Sequence, residues 1–254
     1  MIDRNVMNTK SFFVFFSLTI IIILIIYSYA SEYNERYVYR TPQGNALNVS
    51  PITGEEINSV LQKEEAYIVT FPKDASINEL SGNKQGDIIF ESYNLEESKC
   101  IYKSLYYNSS PFTLVEGEKI NTIPLNDLPT FSFINSIDGL PVYFKNSGKL
   151  VHIEYSKTAT STFLYQEGYY KYTSDLNSIN PPIVSNLIIQ LVDKDYMNNK
   201  GNAIILAGGK ACSGTWEKTN NTTILKDYKG APMTLMEGKS WWMTVVEGSL
   251  ILIE

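Results

Sequence analysis

Two hydrophobic patterns divide the chain. From Ser11 to Ala30 no charged residue occurs, and Phe12 to Ile26 is almost wholly Phe, Val, Leu and Ile. A helix of that length reaches roughly 30 Å, enough to cross a hydrocarbon core. Arg4 and Lys10 precede it, so the basic end is expected to stay in the cytoplasm and the body to lie outside. Ser28-Tyr29-Ala30 offers small residues where a signal peptidase reads. An uncleaved anchor and cleavage after Ala30, which would release a secreted body, both remain open.

Beyond Ser31 the apolar period shortens. Residues 31–50 are polar, with scattered tyrosines and no sustained period, and read as a linker. Ile57, Val60, Leu61 and Glu64 fall at helical spacing and predict one short amphipathic helix. From Ala66 onward the texture is that of strands. Tyr67 to Phe71, Asp87 to Tyr93 and Lys99 to Tyr107 are the first three. In Lys149 to Tyr155 the residues Val151, Ile153 and Tyr155 share one side, and Leu150, His152 and Glu154 the other. Gln166-Glu167-Gly168 predicts a short hairpin loop, and Gly208-Gly209-Lys210 joins two further strands. Ile183 to Val192 predicts one long central strand, and Glu247-Gly248 a two-residue hairpin turn before a closing apolar strand.

The expected fold class is therefore mainly β, a β-rich α+β body. An N-terminal transmembrane helix precedes mostly antiparallel sheets with few short helices. Residues 1–30 form the signal-anchor and 31–50 the linker. Three prolines and little periodicity between Asn108 and Pro129 suggest a boundary there. It separates an N-terminal α+β subdomain, 51–129, from a C-terminal β-domain, 130–254.

Charge and chemistry narrow the function classes. Outside residues 1–30 the balance is 19 Lys+Arg against 26 Asp+Glu. That acidic exterior repels phosphate backbones, and no nucleic-acid partner is expected. The two cysteines, Cys100 and Cys212, allow either a disulfide or two separate buried thiols. With one histidine, His152, no His-based zinc site can be assembled, and no G-x-S-x-G elbow supplies a nucleophile. Asp193, Asp195, Asn198 and Asn199 do not follow calcium-loop spacing. Neither metal nor cofactor is expected. Asp87 and Glu91 lie four residues apart on one predicted strand, about 13 Å, too far for a paired glycosidase site. Trp216 and Trp241 fall on strands, where core packing is the expected role.

Several stretches resemble one family. Asn186-Leu187-Ile188-Ile189-Gln190 is similar to its NVIVQ strand, and Gly214-Thr215-Trp216-Glu217-Lys218 to its GTWxK element. Gly238-Lys239-Ser240-Trp241 resembles its closing GKTW, and Ser50-Pro51-Ile52-Thr53-Gly54 its opening PLTG. Asp87-Ile88-Ile89-Phe90-Glu91 resembles its DIVYE. The family is that of the YerB-like bacterial extracytoplasmic lipoproteins, of unknown molecular function. Cys100 and Lys171 stand where the family has arginines, and no lipidated cysteine follows the apolar segment. The resemblance implies a shortened, divergent relative. It singles out Asp87, Glu91 and Lys171 as candidate ligand or partner contacts.

The expected function is that of a non-catalytic binding or scaffolding module of the bacterial cell envelope. It would be a single-pass protein held at the cell membrane through residues 11–30, contacting an envelope protein or a cell-wall component. The alternative is an envelope-acting hydrolase or transferase with a site between the subdomains.

Overall fold

The computed structural model describes residues 49–57, 65–72, 75–82, 85–108, 118–174, 180–219 and 222–254. All belong to one compact unit, Ala46–Glu254. The apolar segment 11–30 and most of the helix expected at 57–64 lie outside these residues. Among the described residues no helix is long and apolar enough to cross a membrane.

Short β-branched and aromatic runs, punctuated by Gly, Asn and Asp, form strands throughout. The first four are β1 (Glu65–Thr70), β2 (Ile88–Asn94), β3 (Lys99–Tyr106) and β4 (Lys119–Pro124). They share one sheet with β6 (Asn146–Ser147), β11 (Asn186–Val192), β12 (Lys200–Ala207), β13 (Lys210–Thr219), β14 (Thr222–Lys226) and β16 (Ser240–Val246). A five-stranded sheet holds β7 (Leu150–Ser156), β8 (Ala159–Gln166), β9 (Tyr169–Tyr172), β10 (Ile183–Val184) and β17 (Leu250–Ile253). The short pair β5 (Ser132–Ile134) and β15 (Thr234–Met236) forms a third. Helical structure among the described residues is limited to 3-10 turns at Ile77–Leu80, Leu125–Asp127 and Ile137–Gly139.

The ten-stranded sheet runs β14-β13-β12-β11-β16-β2-β3-β1-β4 through nine of its strands, and β6 pairs with β13 off this path. Its centre is parallel: β16 pairs in parallel with both β11 and β2. Strands from both sides of residues 129 and 130 thus share one sheet. The short pair β5 and β15 is parallel too, and the remaining pairs are antiparallel.

Side-chain alternation explains the layers. In β11, Leu187 and Ile189 enter one core and Ile188 the other; in β16, Trp241, Met243 and Val245 oppose Trp242. A strand covered on both faces reads as a continuous apolar run, which is why Ile183 to Val192 looks central from sequence. One core lies between the two large sheets, where Val151, Ile153, Phe163, Tyr170 and Tyr172 meet Ile89, Leu187 and Trp241. The other lies on the opposite face, under Leu128, Phe144, Met233 and Leu235.

Two sequence expectations need correction. Ile183 to Val192 is not one strand: β10 pairs with β9 in the small sheet, and β11 continues in the large one. Ser185, between them, donates its N–H to Lys239 O at 2.8 Å. Glu247-Gly248 is not a hairpin either. The turn passes the chain from β16 in the large sheet to β17, which pairs with β7. Its local geometry is a turn, but the two strands it joins find better-matched apolar faces in different layers. The hairpins at Glu167-Gly168 and Gly208-Gly209 do form, with positive φ at all four residues.

Candidate functional site

Two buried polar clusters are built around β2. Along this strand Ile88 and Phe90 face one core, and Ile89 faces the other. Glu91 follows the side of Ile89, which carries its carboxylate between the two large sheets, 1% exposed. Ser161 Oγ on β8 donates to Oε1 at 2.5 Å, and Trp241 Nε1 on β16 donates to Oε2 at 2.7 Å. The side chain therefore ties one sheet to the other.

The Cys100 thiol and the Tyr155 hydroxyl border the same carboxylate. Tyr155 OH is close enough to favour the charge, yet makes no full hydrogen bond among the described residues. Burial raises the Glu91 pKa, the donors from Ser161 and Trp241 oppose the rise, and none of the groups acting on it is a cation. The indole N–H can only donate, so a proton on Glu91 would sit on Oε1, with the Ser161 hydroxyl accepting. Burial, and then the Glu91 charge, push Tyr172 up to about 12. Tyr172 stacks on Trp241, and Tyr102 meets the same indole edge-on. The arrangement supports a buried acid embedded in aromatic rings.

The second cluster gathers where β2, β11 and β16 begin. Asp87, also 1% exposed, accepts the N–H groups of Tyr107 at 2.6 Å and Asn108 at 2.7 Å on Oδ2. Its carbonyl accepts the Ser240 N–H at 3.0 Å. Lys239 Nζ donates to Gln85 O at 2.7 Å, and burial lowers its pKa against the opposing charges of Asp87 and Glu55. Asn108 Nδ2 donates to Thr53 Oγ1 at 3.0 Å, and Thr53 O accepts the Gly238 N–H at 2.7 Å. Asn186 bridges to Met236, donating to its carbonyl at 2.9 Å and accepting its N–H at 2.8 Å. Gly54 closes the loop at φ +72°, and a Cβ there would lie 2.4 Å from the Phe133 ring.

The sequence candidates do not converge. Glu91 points into the inter-sheet core, whereas Asp87 holds the chain after β3. Lys171 lies exposed on β9, in register with Leu164 and Ile183. Its neighbours Tyr170 and Tyr172 point inward, so Lys171 stands on the solvent face of the small sheet. Trp216 is 3% exposed, with Nε1 donating to Leu191 O at 2.7 Å, and Trp241 is fully buried. Cys100 and Cys212 are free thiols. Thr53, Asn108, Asn186 and Lys239 were missed as members of the cluster around Asp87. The signal was available for Thr53, Asn186 and Lys239, because each lies in a stretch that carries the family resemblance.

Residues 141–242 match the family model described as Protein of unknown function (DUF3048) C-terminal domain. The match holds Lys171, Asn186, Trp216, Lys239 and Trp241, and leaves Asp87 and Glu91 outside it. The crystal structure of the YerB protein from Bacillus subtilis superposes with a TM-score of 0.56 at 12% identity, over 80% of this chain and 99% of that one. At that identity the likeness is one of fold. Together the two likenesses support a YerB-like family, of unknown function. No curated protein matches the sequence. In this chain, residues from the matched part and from before it meet at the Asp87 cluster.

Proposed function

We propose that the chain is a non-catalytic binding or scaffolding module of the bacterial cell envelope, held at the membrane by residues 11–30 with its β-rich body outside. The observation that supports this most is the fate of the two carboxylates. Asp87 and Glu91 are each 1% exposed, and their oxygens accept from the protein's own donors. General acid–base chemistry needs such groups within reach of a substrate atom. Here they hold loops and sheets, and the body offers a broad surface with exposed Lys171 and scattered tyrosines instead.

The hydrolase or transferase alternative would draw on the Asp87 cluster, since Lys239 has its pKa lowered by burial beside that carboxylate. The test incubates the purified chain with peptidoglycan fragments and with peptide and ester substrates, following products by mass spectrometry. No product is expected. A product that vanishes in Asp87→Asn or Lys239→Ala, with the variant still folded, would replace this reading by the enzyme one. Protease digestion of intact cells tests the topology, and the body is expected to be cut from outside.

A further inference from the structure

The binding-module reading can be carried to a specific surface, and the following rests on that reading. β17 is the last strand of the five-stranded sheet and pairs on one side with β7. Glu254 and Leu150 exchange both N–H···O bonds, each 2.9 Å. In an antiparallel ladder such pairs alternate with pairs whose backbone groups point away. The N–H and C=O groups of Ile251 and Ile253 therefore face the open edge, and no strand among the described residues pairs there.

Natural sheets usually blunt such edges with lysine, proline or a bulge. Leu250–Ile253 has none of these, and its register with β7 is continuous. Ile251 and Ile253 rest partly on the inter-sheet core, and Leu250 and Leu252 are 58% and 44% exposed on the outer face. On that face Glu154 and His152 lie beside them on β7, and Leu150 and Leu164, half-buried, are separated from exposed Ile183 by Lys171. An added strand would extend the apolar inner row of Ile251 and Ile253 and cover Leu250 and Leu252 on the outer face.

Charge decides the occupant. Glu154 lies beside Leu250 in register, and exposed Glu247 and Glu254 flank the strand. Lys149 and Lys157 flank β7, so three carboxylates stand against two cations along this edge. A second copy would bring the same carboxylates and a formal charge of −6 of its own. A basic-flanked strand meets complementary charge instead. We propose that β17 is a strand-addition edge that takes an extended segment of a partner protein, apolar at alternate positions and flanked by Lys or Arg.

The test uses the full chain and a short synthetic peptide of alternating valine and threonine with lysines at both ends. A peptide with glutamates at both ends is the control. Titration by fluorescence anisotropy is read together with amide hydrogen exchange at Ile251 and Ile253. The lysine peptide is expected to bind and to protect both amides, and the glutamate peptide to bind roughly tenfold or more weakly. Leu252→Lys puts a cation on an exposed position and is expected to weaken binding by a similar factor, with thermal unfolding unchanged. Ile251→Pro removes an outward N–H without touching a bond to β7, and is expected to abolish protection at Ile253. Equal binding of both peptides, or binding without protection, overturns the proposal. So does self-association that Leu252→Lys abolishes, which would give the edge to a second copy. If the peptide fails while crosslinking in intact cells traps a partner at other residues, the edge is wrong and the binding-module reading stands. Product formation from wall fragments defeats that reading whatever the edge does.

Discussion

Replacing Glu91 by Gln isolates the effect of burying an acid between the sheets. In the unfolded chain the carboxyl titrates near about pH 4.3. Burial raises it in the folded protein, so the folded state keeps its proton to higher pH than the unfolded state. Stability then falls as pH rises from about 4.3, until the folded carboxyl has itself ionised. Each tenfold gain in proton affinity corresponds to about 1.4 kcal/mol lost by the ionised form. The bonds from Ser161 and Trp241 oppose this, yet the direction remains upward, so desolvation outweighs them. Gln keeps an acceptor for Trp241 Nε1 and a group for Ser161 Oγ, and carries no charge. Glu91→Gln is therefore expected to match or exceed the wild type in stability near pH 7.5, and to lose the fall in stability that begins at about pH 4.3. Glu91→Ala instead orphans two buried donors, at about 1–3 kcal/mol each, and leaves a cavity. Urea denaturation of the wild type and both variants across that range is the assay. Parallel pH profiles for wild type and Glu91→Gln would refute the reasoning.

Other perturbations follow from the same contacts. Trp216→Phe removes the donor to Leu191 O and is expected to cost about 1–3 kcal/mol, and Trp216→Ala about 3–5, by urea denaturation. Gly238 has φ +119°, and a Cβ there would lie 2.2 Å from Ser185 Oγ. Gly238→Ala is therefore expected to destabilise by about 1–3 kcal/mol, with Ser185→Gly recovering only the steric part in a double-mutant cycle. Burial pushes the Cys212 thiol up to about 12 and raises Cys100 as well, the Glu91 charge adding to the latter. Both thiols are expected to resist alkylation near pH 8 in the native protein and to react rapidly in denaturant, as mass spectrometry would show.

Much of the fold was legible because its signals are local. The alternation of Val151, Ile153 and Tyr155 against Leu150, His152 and Glu154 needs only the pleat of one strand, and β7 buries the first set as read. The turns at Glu167-Gly168 and Gly208-Gly209 announce themselves through residues that tolerate positive φ. The family resemblance is local too, since it rests on short stretches such as Gly238 to Trp241.

Tertiary structure alone decided what those pieces meet. Ser185 and Glu247-Gly248 look like an ordinary strand residue and an ordinary hairpin, yet each passes the chain between sheets. No local preference distinguishes a turn that pairs its flanks from one that separates them; the choice depends on which distant apolar face each flank can bury. For the same reason Asp87 and Glu91, neighbours on one strand, have different fates. Glu91 meets donors from β8 and β16, which are 70 and 150 residues away. Asp87 meets the backbone after β3, at Tyr107 and Asn108, with Lys239 beside it. Residue type and period determined that this chain forms strands with two kinds of face. Only the packing of those faces determined which carboxylate became a tie between sheets, and left β17 paired on one side alone among the described residues.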